Sequence, residues 1–280
     1  MIISKNLHLI RNEFFVTPAI KRYVNIYLLT GENCYLIDSG VLGAQEIISE
    51  YMSSIGRNIA EIKGLFLTHS HPDHIGAAAD IQKLSGCEVY APADEIDWIE
   101  DINKQYRQRP IPNFFKLVSE SVKISRPLNE GDTVRPENGV EILALYTKGH
   151  SHGSMSYILN GKTVFTGDAI PCINDIPIFV NYGQSLESLD KLRHINGIKL
   201  CCPAWDDVCD KAGLNTAIDN AKRVLEHLKA AVICTENKFP ESTDEEKLKM
   251  ISRILGIPDF GGNPLFAKSV EACKNTKYLF

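Results

Sequence analysis

Gly64-Leu65-Phe66-Leu67-Thr68-His69-Ser70-His71-Pro72-Asp73-His74 is a short apolar run that ends in three histidines and an aspartate within six residues. The run reads as a buried strand. Alternate residues of extended chain share a face, whereas on a helix they diverge. His69 and His71 are therefore expected to point one way. Pro72 keeps His71 out of helical geometry and itself suits the first turn of a following helix. Asp73 and His74 then stand at the mouth of that helix and face a neighbouring position. The stretch thus predicts two adjacent half-sites for metal ions. Imidazoles suit zinc, iron and manganese, and a carboxylate serves as ligand or proton acceptor. The chain holds eight histidines in 280 residues, so three of them clustering at a strand end by chance is a rare event.

Outward from this stretch, the pattern alternates strands and helices. Strands and hairpins are expected from Leu7 to Leu36, with Thr30-Gly31-Glu32-Asn33 as a turn between two apolar runs. A helix follows from Ala44 to Ile55, stopped by Gly56. After His74 a helix is expected over Ile75 to Leu84, and a strand over Glu88 to Ala91. Asp94 to Lys123 reads as helices interrupted by Pro110 and Pro112; its aromatics serve a pocket wall or a flap over the core. Strands return at Val140–Leu145, Met155–Leu159 and Thr163–Thr166. A helix at Ser185–His194 precedes a strand at Ile198–Cys202. Helices at Asn215–Ala230 and Asp244–Leu255 lead to a loose end after Pro258. Such an order suggests sheets packed under helices and not one regular parallel array.

From Asn25 to Asp206 the chain resembles the metallo-β-lactamase superfamily, whose hallmark is H-x-H-x-D-H at the end of a strand. The resemblance implies an α/β fold: a four-layer αββα sandwich of two mixed β-sheets flanked by helices, with metals at one edge of the sheets. Residues 1–214 would form that domain, and 215–280 a helical C-terminal extension packed on it. Thr147-Lys148-Gly149-His150 matches the family's downstream Gly-His segment, with His150 in the ligand slot. Val164-Phe165-Thr166-Gly167-Asp168 matches the strand that ends in Gly-Asp, whose carboxylate can span two ions. Asp38, in Leu36-Ile37-Asp38-Ser39-Gly40, matches an aspartate that orients a ligand from behind. His152 falls where the family often has proline and is read as lying outside the ligand set.

The pattern breaks at the late histidine that closes the family's second metal site. Here Cys201-Cys202-Pro203-Ala204-Trp205-Asp206-Asp207 places Trp205 in that slot, and indole cannot bind a metal. His194 and His227 are read as structural. Asp206, one residue later, is the expected substitute. A thiolate from Cys201 or Cys202 is the alternative, against both packing as small apolar groups; otherwise the second site lacks that ligand. Site one is then His69, His71 and His150. Site two is Asp73, His74, Asp168 and Asp206, whose richness in oxygen shifts preference toward manganese or iron. One or two divalent ions are implied, zinc foremost.

The resemblance implies a metallo-hydrolase that cleaves a small ester, thioester, lactone or phosphoester with hydroxide generated from metal-bound water, Asp73 orienting the nucleophile and handling its proton. A glyoxalase-II-like thioesterase is the first expectation within that class. The rivals are a mononuclear iron dioxygenase acting on a persulfide, and a non-catalytic binding relative. Net charge is −5, with 23% charged residues and no Lys/Arg block. A nucleic-acid or anionic-membrane partner is therefore not expected, and a small-molecule substrate is. The start shows no secretion signal, no apolar stretch approaches a membrane span, and the eight cysteines form no C-x-x-C pair. Cytoplasmic residence is the expectation that follows.

Overall fold

The apolar runs pair into two sheets in the computed structural model, which describes residues 1–17, 20–173 and 175–275. The first sheet holds β1 (Ile2–Ser4), β2 (Leu7–Thr17), β3 (Ile20–Thr30), β4 (Cys34–Ile37), β5 (Ile62–Phe66), β6 (Glu88–Pro92) and β7 (Arg126–Leu128), adjacent in that order. Its first four strands pair antiparallel and the rest parallel. The second sheet holds β8 (Thr133–Glu137), β9 (Val140–Tyr146), β10 (Met155–Leu159), β11 (Thr163–Gly167), β12 (Leu200–Pro203) and β13 (Cys209–Asp210). There β11 and β12 run parallel, with Val164 beside Cys201 and Phe165 beside Cys202.

Strand periodicity explains the layers. Along β3 and β4, Ile26, Leu28, Cys34 and Leu36 turn outward to one core. Tyr27, Leu29, Tyr35 and Ile37 turn inward to another. Successive side chains take opposite faces, so a strand apolar on both must be covered on both. The outward core is covered by α1 (Ala44–Ser54), the short α2 (Pro72–Ile75) and α3 (Ala78–Ser85), then α4 (Ile96–Ile99), α5 (Ile102–Gln108) and α6 (Phe114–Leu117). The inward face meets Ile142, Ala144, Met155, Tyr157, Phe165 and Cys202 of the second sheet. The far side of that sheet is covered by α7 (Tyr182–His194), α8 (Lys211–Lys238), α9 (Asp244–Ile254) and α10 (Pro264–Lys274). The architecture is the four-layer αββα sandwich with added C-terminal helices.

Three local readings change. The helix expected over Ile75–Leu84 is broken into α2 and α3 at Gly76. A Cβ there would lie 2.2 Å from the Leu117 carbonyl oxygen, so that backbone approach needs glycine. The C-terminal helix begins at Lys211, capped by Asp210, ahead of the expected Asn215. Within the loose end expected after Pro258, residues 264–274 form α10, started by the Asn263 side chain accepting from the Leu265 and Phe266 amides; residues 276–280 lie outside the described residues. Phe266 from α10 is fully buried among Leu225, Leu228 and Ile251.

Phe266→Ala should therefore cost about 3–5 kcal/mol of unfolding free energy, read by urea denaturation. A loss below about 1 kcal/mol would mean that α10 is not docked as described.

Candidate metal centre

The functional side chains come from strand ends that meet where the two sheets abut. Hydrogen bonds stitch these ends across the sheets. The Met155 amide donates to the Thr68 carbonyl at 2.9 Å and the Asn25 amide to the Ala204 carbonyl at 2.8 Å. The Tyr157 and Tyr27 hydroxyls donate to the Leu67 and Pro203 carbonyls, each at 2.7 Å.

After β5 the chain stays extended through His71, which has φ −65° and ψ 147° and precedes Pro72 at the first position of α2. The rings of His69 and His71 converge: His69 Nε2 stands 3.0 Å from His71 Nδ1. His150, from the turn between β9 and β10, brings its Nε2 to 2.9 Å from the same Nδ1. Asp168 follows β11, and its Oδ2 lies 3.3 Å from His150 Nε2 and 3.9 Å from His69 Nε2. Its Oδ1 lies 3.1 Å from His74 Nε2, which in turn is 3.5 Å from Asp73 Oδ2. Two donor groups result, His69–His71–His150–Asp168 and Asp73–His74–Asp168, joined through Asp168.

A layer behind the donors holds them in place. Asp38 accepts His74 Nδ1–H at 2.8 Å, the Thr68 amide at 2.7 Å and the Thr68 hydroxyl. Thr68 Oγ1 also sits 3.0 Å from His69 Nδ1. Asp38 does this from φ +61°, in the left-handed region that non-glycine residues seldom adopt. His150 Nδ1 lies 2.9 Å from the Ile178 carbonyl, which fixes Nε2 as the inward atom. Gly149 before it has φ +126°, and a Cβ there would lie 2.4 Å from Ser185 Oγ. The glycine thus admits the close approach of α7.

Glu95 was not legible as a site residue, yet it locks the two loops together. It is buried and accepts from the Ser70 amide and hydroxyl, the Ser151 hydroxyl at 2.6 Å and the Gly153 amide at 2.6 Å. Arg109 was also missed; it lines the cavity above the donors.

The residues fit divalent ions on two grounds. Burial holds His69 and His71 well below the ordinary histidine pKa and also lowers His150, so their nitrogens are free to ligate near neutral pH. His74 differs: Asp168, Asp38 and Asp73 outweigh the same burial and hold its pKa well above normal, so an ion there would have to displace its proton. Burial opposes ionisation of Asp168 too, and His74 and His150 outweigh it and hold the carboxyl ionised. Secondly, buried His74 Nε2 and Asp168 Oδ1 lack any hydrogen-bond partner although they stand 3.1 Å apart. Orphaned buried polar atoms are costly, and an ion between them would satisfy both.

Asp206 stands outside both donor groups. Its carbonyl is held by Asn25 Nδ2 at 2.9 Å, and its Oδ1 accepts the Asp207 amide at 2.8 Å. Trp205 instead reaches the centre, donating Nε1–H to Asp168 Oδ2 at 2.9 Å. The slot of the missing histidine is therefore filled by a donor to a ligand. Cys201 and Cys202 are buried in the cores flanking the second sheet. His152, His194 and His227 are exposed.

Over the donors opens a cavity of about 250 Å³ whose wall includes His71, Asp73, His150 and Asp168. Phe14, Ile111, Ile170, Ile178 and Trp205 make much of it apolar. The Asp94–Lys123 segment serves both expected roles: Arg109, Ile111 and Leu117 line the cavity, while Ile99, Ile102 and Phe114 pack in the core.

Comparison with known proteins places this geometry in a family. The profile described as "Metallo-beta-lactamase superfamily" matches residues 19–202. The chain is 28% identical over 145 residues to the "Probable metallo-hydrolase YqgX" of Bacillus subtilis (strain 168), covering 51% of this chain and 64% of that protein. It is 31% identical over 173 residues to the atrochrysone carboxyl ACP thioesterase of Aspergillus fumigatus, covering 60% of this chain and 35% of that protein. The matches thus span less than two thirds of either relative. In fold the chain is similar to a metallo-beta-lactamase family protein of Thermus thermophilus, with TM-score 0.72 at 19% identity, covering 97% and 93% of the two chains.

Asp38→Asn keeps the shape of the residue but weakens the acceptor that aligns His74 and Thr68. It should lower zinc affinity about 10- to 100-fold, read by competition with a chromophoric chelator. Unchanged affinity in a folded variant would remove Asp38 from the supporting layer.

Proposed function

Since the chain belongs to the metallo-beta-lactamase superfamily, we propose that it is a metal-dependent hydrolase of a small ester, thioester, lactone or phosphoester, with thioesters first among these. The observation that carries this reading is the pair of donor groups joined by Asp168 at the floor of a partly apolar cavity. One relative's name, an ACP thioesterase, favours the thioester class.

His69, His71, His150 and Asp168 would hold one ion, and Asp73, His74 and Asp168 a second. Such an ion supplies Lewis acidity and lowers the pKa of water toward about 7. The chain's own residues do the rest. Asp73 lines the cavity, and its carboxylate takes the proton of the attacking water and returns it to the departing oxygen or sulfur. The apolar wall excludes bulk water and strengthens charge interactions at the reacting carbonyl. Asp38, Thr68 and Glu95 keep the donors from relaxing.

The first group offers four donors and the second three, with Trp205 where a further ligand would stand. Zinc is the ion proposed for the first group, by its histidine content. The short second group also favours a second reading, a single-iron enzyme consuming dioxygen. Oxygen-dependent turnover with one iron per chain would select it over hydrolysis. A small-molecule substrate and a reducing, cytoplasmic setting complete the proposal. All eight cysteines are free, which supports such a setting, and no helix among the described residues is long and apolar enough to cross a membrane.

The test is a panel of thioesters, esters, lactones and phosphodiesters assayed anaerobically with zinc-loaded protein. Turnover of one class is expected, and His71→Ala should reduce it about a hundredfold or more while the far-ultraviolet spectrum stays native. Undiminished turnover in His71→Ala would sink the metal-hydrolase reading.

A further inference from the structure

Arg109 ends α5, at the C-terminal cap where the chain turns into Pro110. The preceding turn is anchored to the metal loop, since Gln105 Nε2 donates to the Ser70 carbonyl at 2.6 Å. Lys268 of α10 holds the next carbonyl back, donating to Gln108 at 3.1 Å. Arg109 is thereby fixed over the donors, lining the cavity with His71, Asp73 and Asp168. The residue is only 6% exposed.

A buried guanidinium ordinarily spends its five N–H donors on carboxylates or carbonyls. Among the described residues, the Arg109 side chain makes neither an ion pair nor a hydrogen bond. Asp73, Asp168 and Glu95 are near enough to act on its charge, yet burial dominates and lowers its pKa to about 10. Glu95 is already committed to Ser70, Ser151 and Gly153. Asp73 and Asp168 belong to the donor groups. Once divalent ions neutralise those two carboxylates, Glu95 is the one carboxylate left acting on the guanidinium, and it spends its oxygens on Ser70, Ser151 and Gly153 without contacting Arg109.

The other arginine in the cavity wall shows the contrast. Arg22 grips Asp175 with two hydrogen bonds, of 2.7 Å and 2.6 Å, and is satisfied. Arg109 therefore offers a positive charge with unspent N–H donors in a mostly apolar chamber. A singly charged planar oxyanion matches one guanidinium fork; a phosphate dianion would remain half neutralised. Around it, Ile111, Ile176 and Ile178 suit a hydrocarbon chain.

We propose that Arg109 is a specificity-determining residue that receives a carboxylate of the substrate, so that the preferred substrate carries a free carboxylate on an apolar acyl chain. The assignment rests on the hydrolase reading for its substrate, but the carboxylate subsite itself does not need turnover to be tested.

Two measurements on the zinc-loaded full chain decide it. The first compares the S-phenyl thioester of glutaric acid, carrying a free carboxylate, with the same compound as its methyl ester. Wild type should favour the acid by about tenfold or more in kcat/KM. In Arg109→Met the acid-to-ester ratio should fall toward unity, chiefly through KM for the acid, and Arg109→Lys should retain part of it. An unchanged ratio would overturn the proposal. The second titrates glutarate and inorganic phosphate into the protein by calorimetry. Glutarate should bind wild type, more tightly than phosphate, and binding should be lost in Arg109→Met at unchanged zinc content. Absence of glutarate binding to wild type, retention in the variant, or tighter phosphate binding would each count against the carboxylate assignment. Should neither thioester turn over, the hydrolase reading fails for thioesters and the titration still rules on Arg109. If Arg109→Met does not fold, Arg109→Gln takes its place in both measurements.

Discussion

Four imidazoles and three carboxylates are packed into one corner where two sheets meet, and hydrogen bonds alone do not satisfy them. His69, His71, His74 and His150 share that corner with Asp38, Asp73 and Asp168. Burying ionisable groups costs several kcal/mol each unless they are paired. Here pairing is incomplete: His74 Nε2 and Asp168 Oδ1 have no hydrogen bond. A fold that retains such a corner carries a standing cost, and coordination of an ion would offset it. The sandwich, the supporting hydrogen bonds and the cavity all take their sense from that constraint.

The scaffold answers the constraint by rigidity. Both sheets contribute their strand ends, and the stitches from Tyr27, Tyr157, Asn25 and Met155 fix one sheet against the other at that edge. Glu95 does for the loops what those bonds do for the strands. It joins the His69–His71 segment to the His150 turn, so neither set of ligands moves alone. Trp205 enters the same logic from β12, holding one oxygen of Asp168 while the other faces His74. The second donor group is the poorer one because it counts three residues against four, while Trp205 holds the Asp168 oxygen that faces His69 and His150.

What could be read from the sequence was what chemistry had written locally. His69, His71, Asp73 and His74 lie within six residues, and the strand-then-proline context says how they point. His150 and Asp168 were found through the resemblance, since neither carries a local signature. Asp206 shows the limit of counting along the chain. The chain bends over residues 204–206 after β12, and Asn25 holds the Asp206 carbonyl while its carboxylate, at the cavity wall, takes the Asp207 amide. Glu95 and Arg109 were invisible because their meaning is tertiary. Glu95 bonds groups 25 to 58 positions away, and Arg109 is notable only for the partners it lacks. The helix at Pro264–Lys274 was missed because Pro258, Gly261 and Gly262 read as a breaker, whereas Pro264 after Asn263 is a helix start.

Everything rests on imidazole and carboxylate donors meeting at one point with an ion between them. A crystal of the zinc-loaded protein, measured on both sides of the zinc absorption edge, addresses that directly. The account predicts an anomalous peak enclosed by the ring nitrogens of His69, His71 and His150, with any weaker second peak beside His74 and Asp73. A saturated crystal with no peak at this corner, or with its ion bound elsewhere, would contradict it.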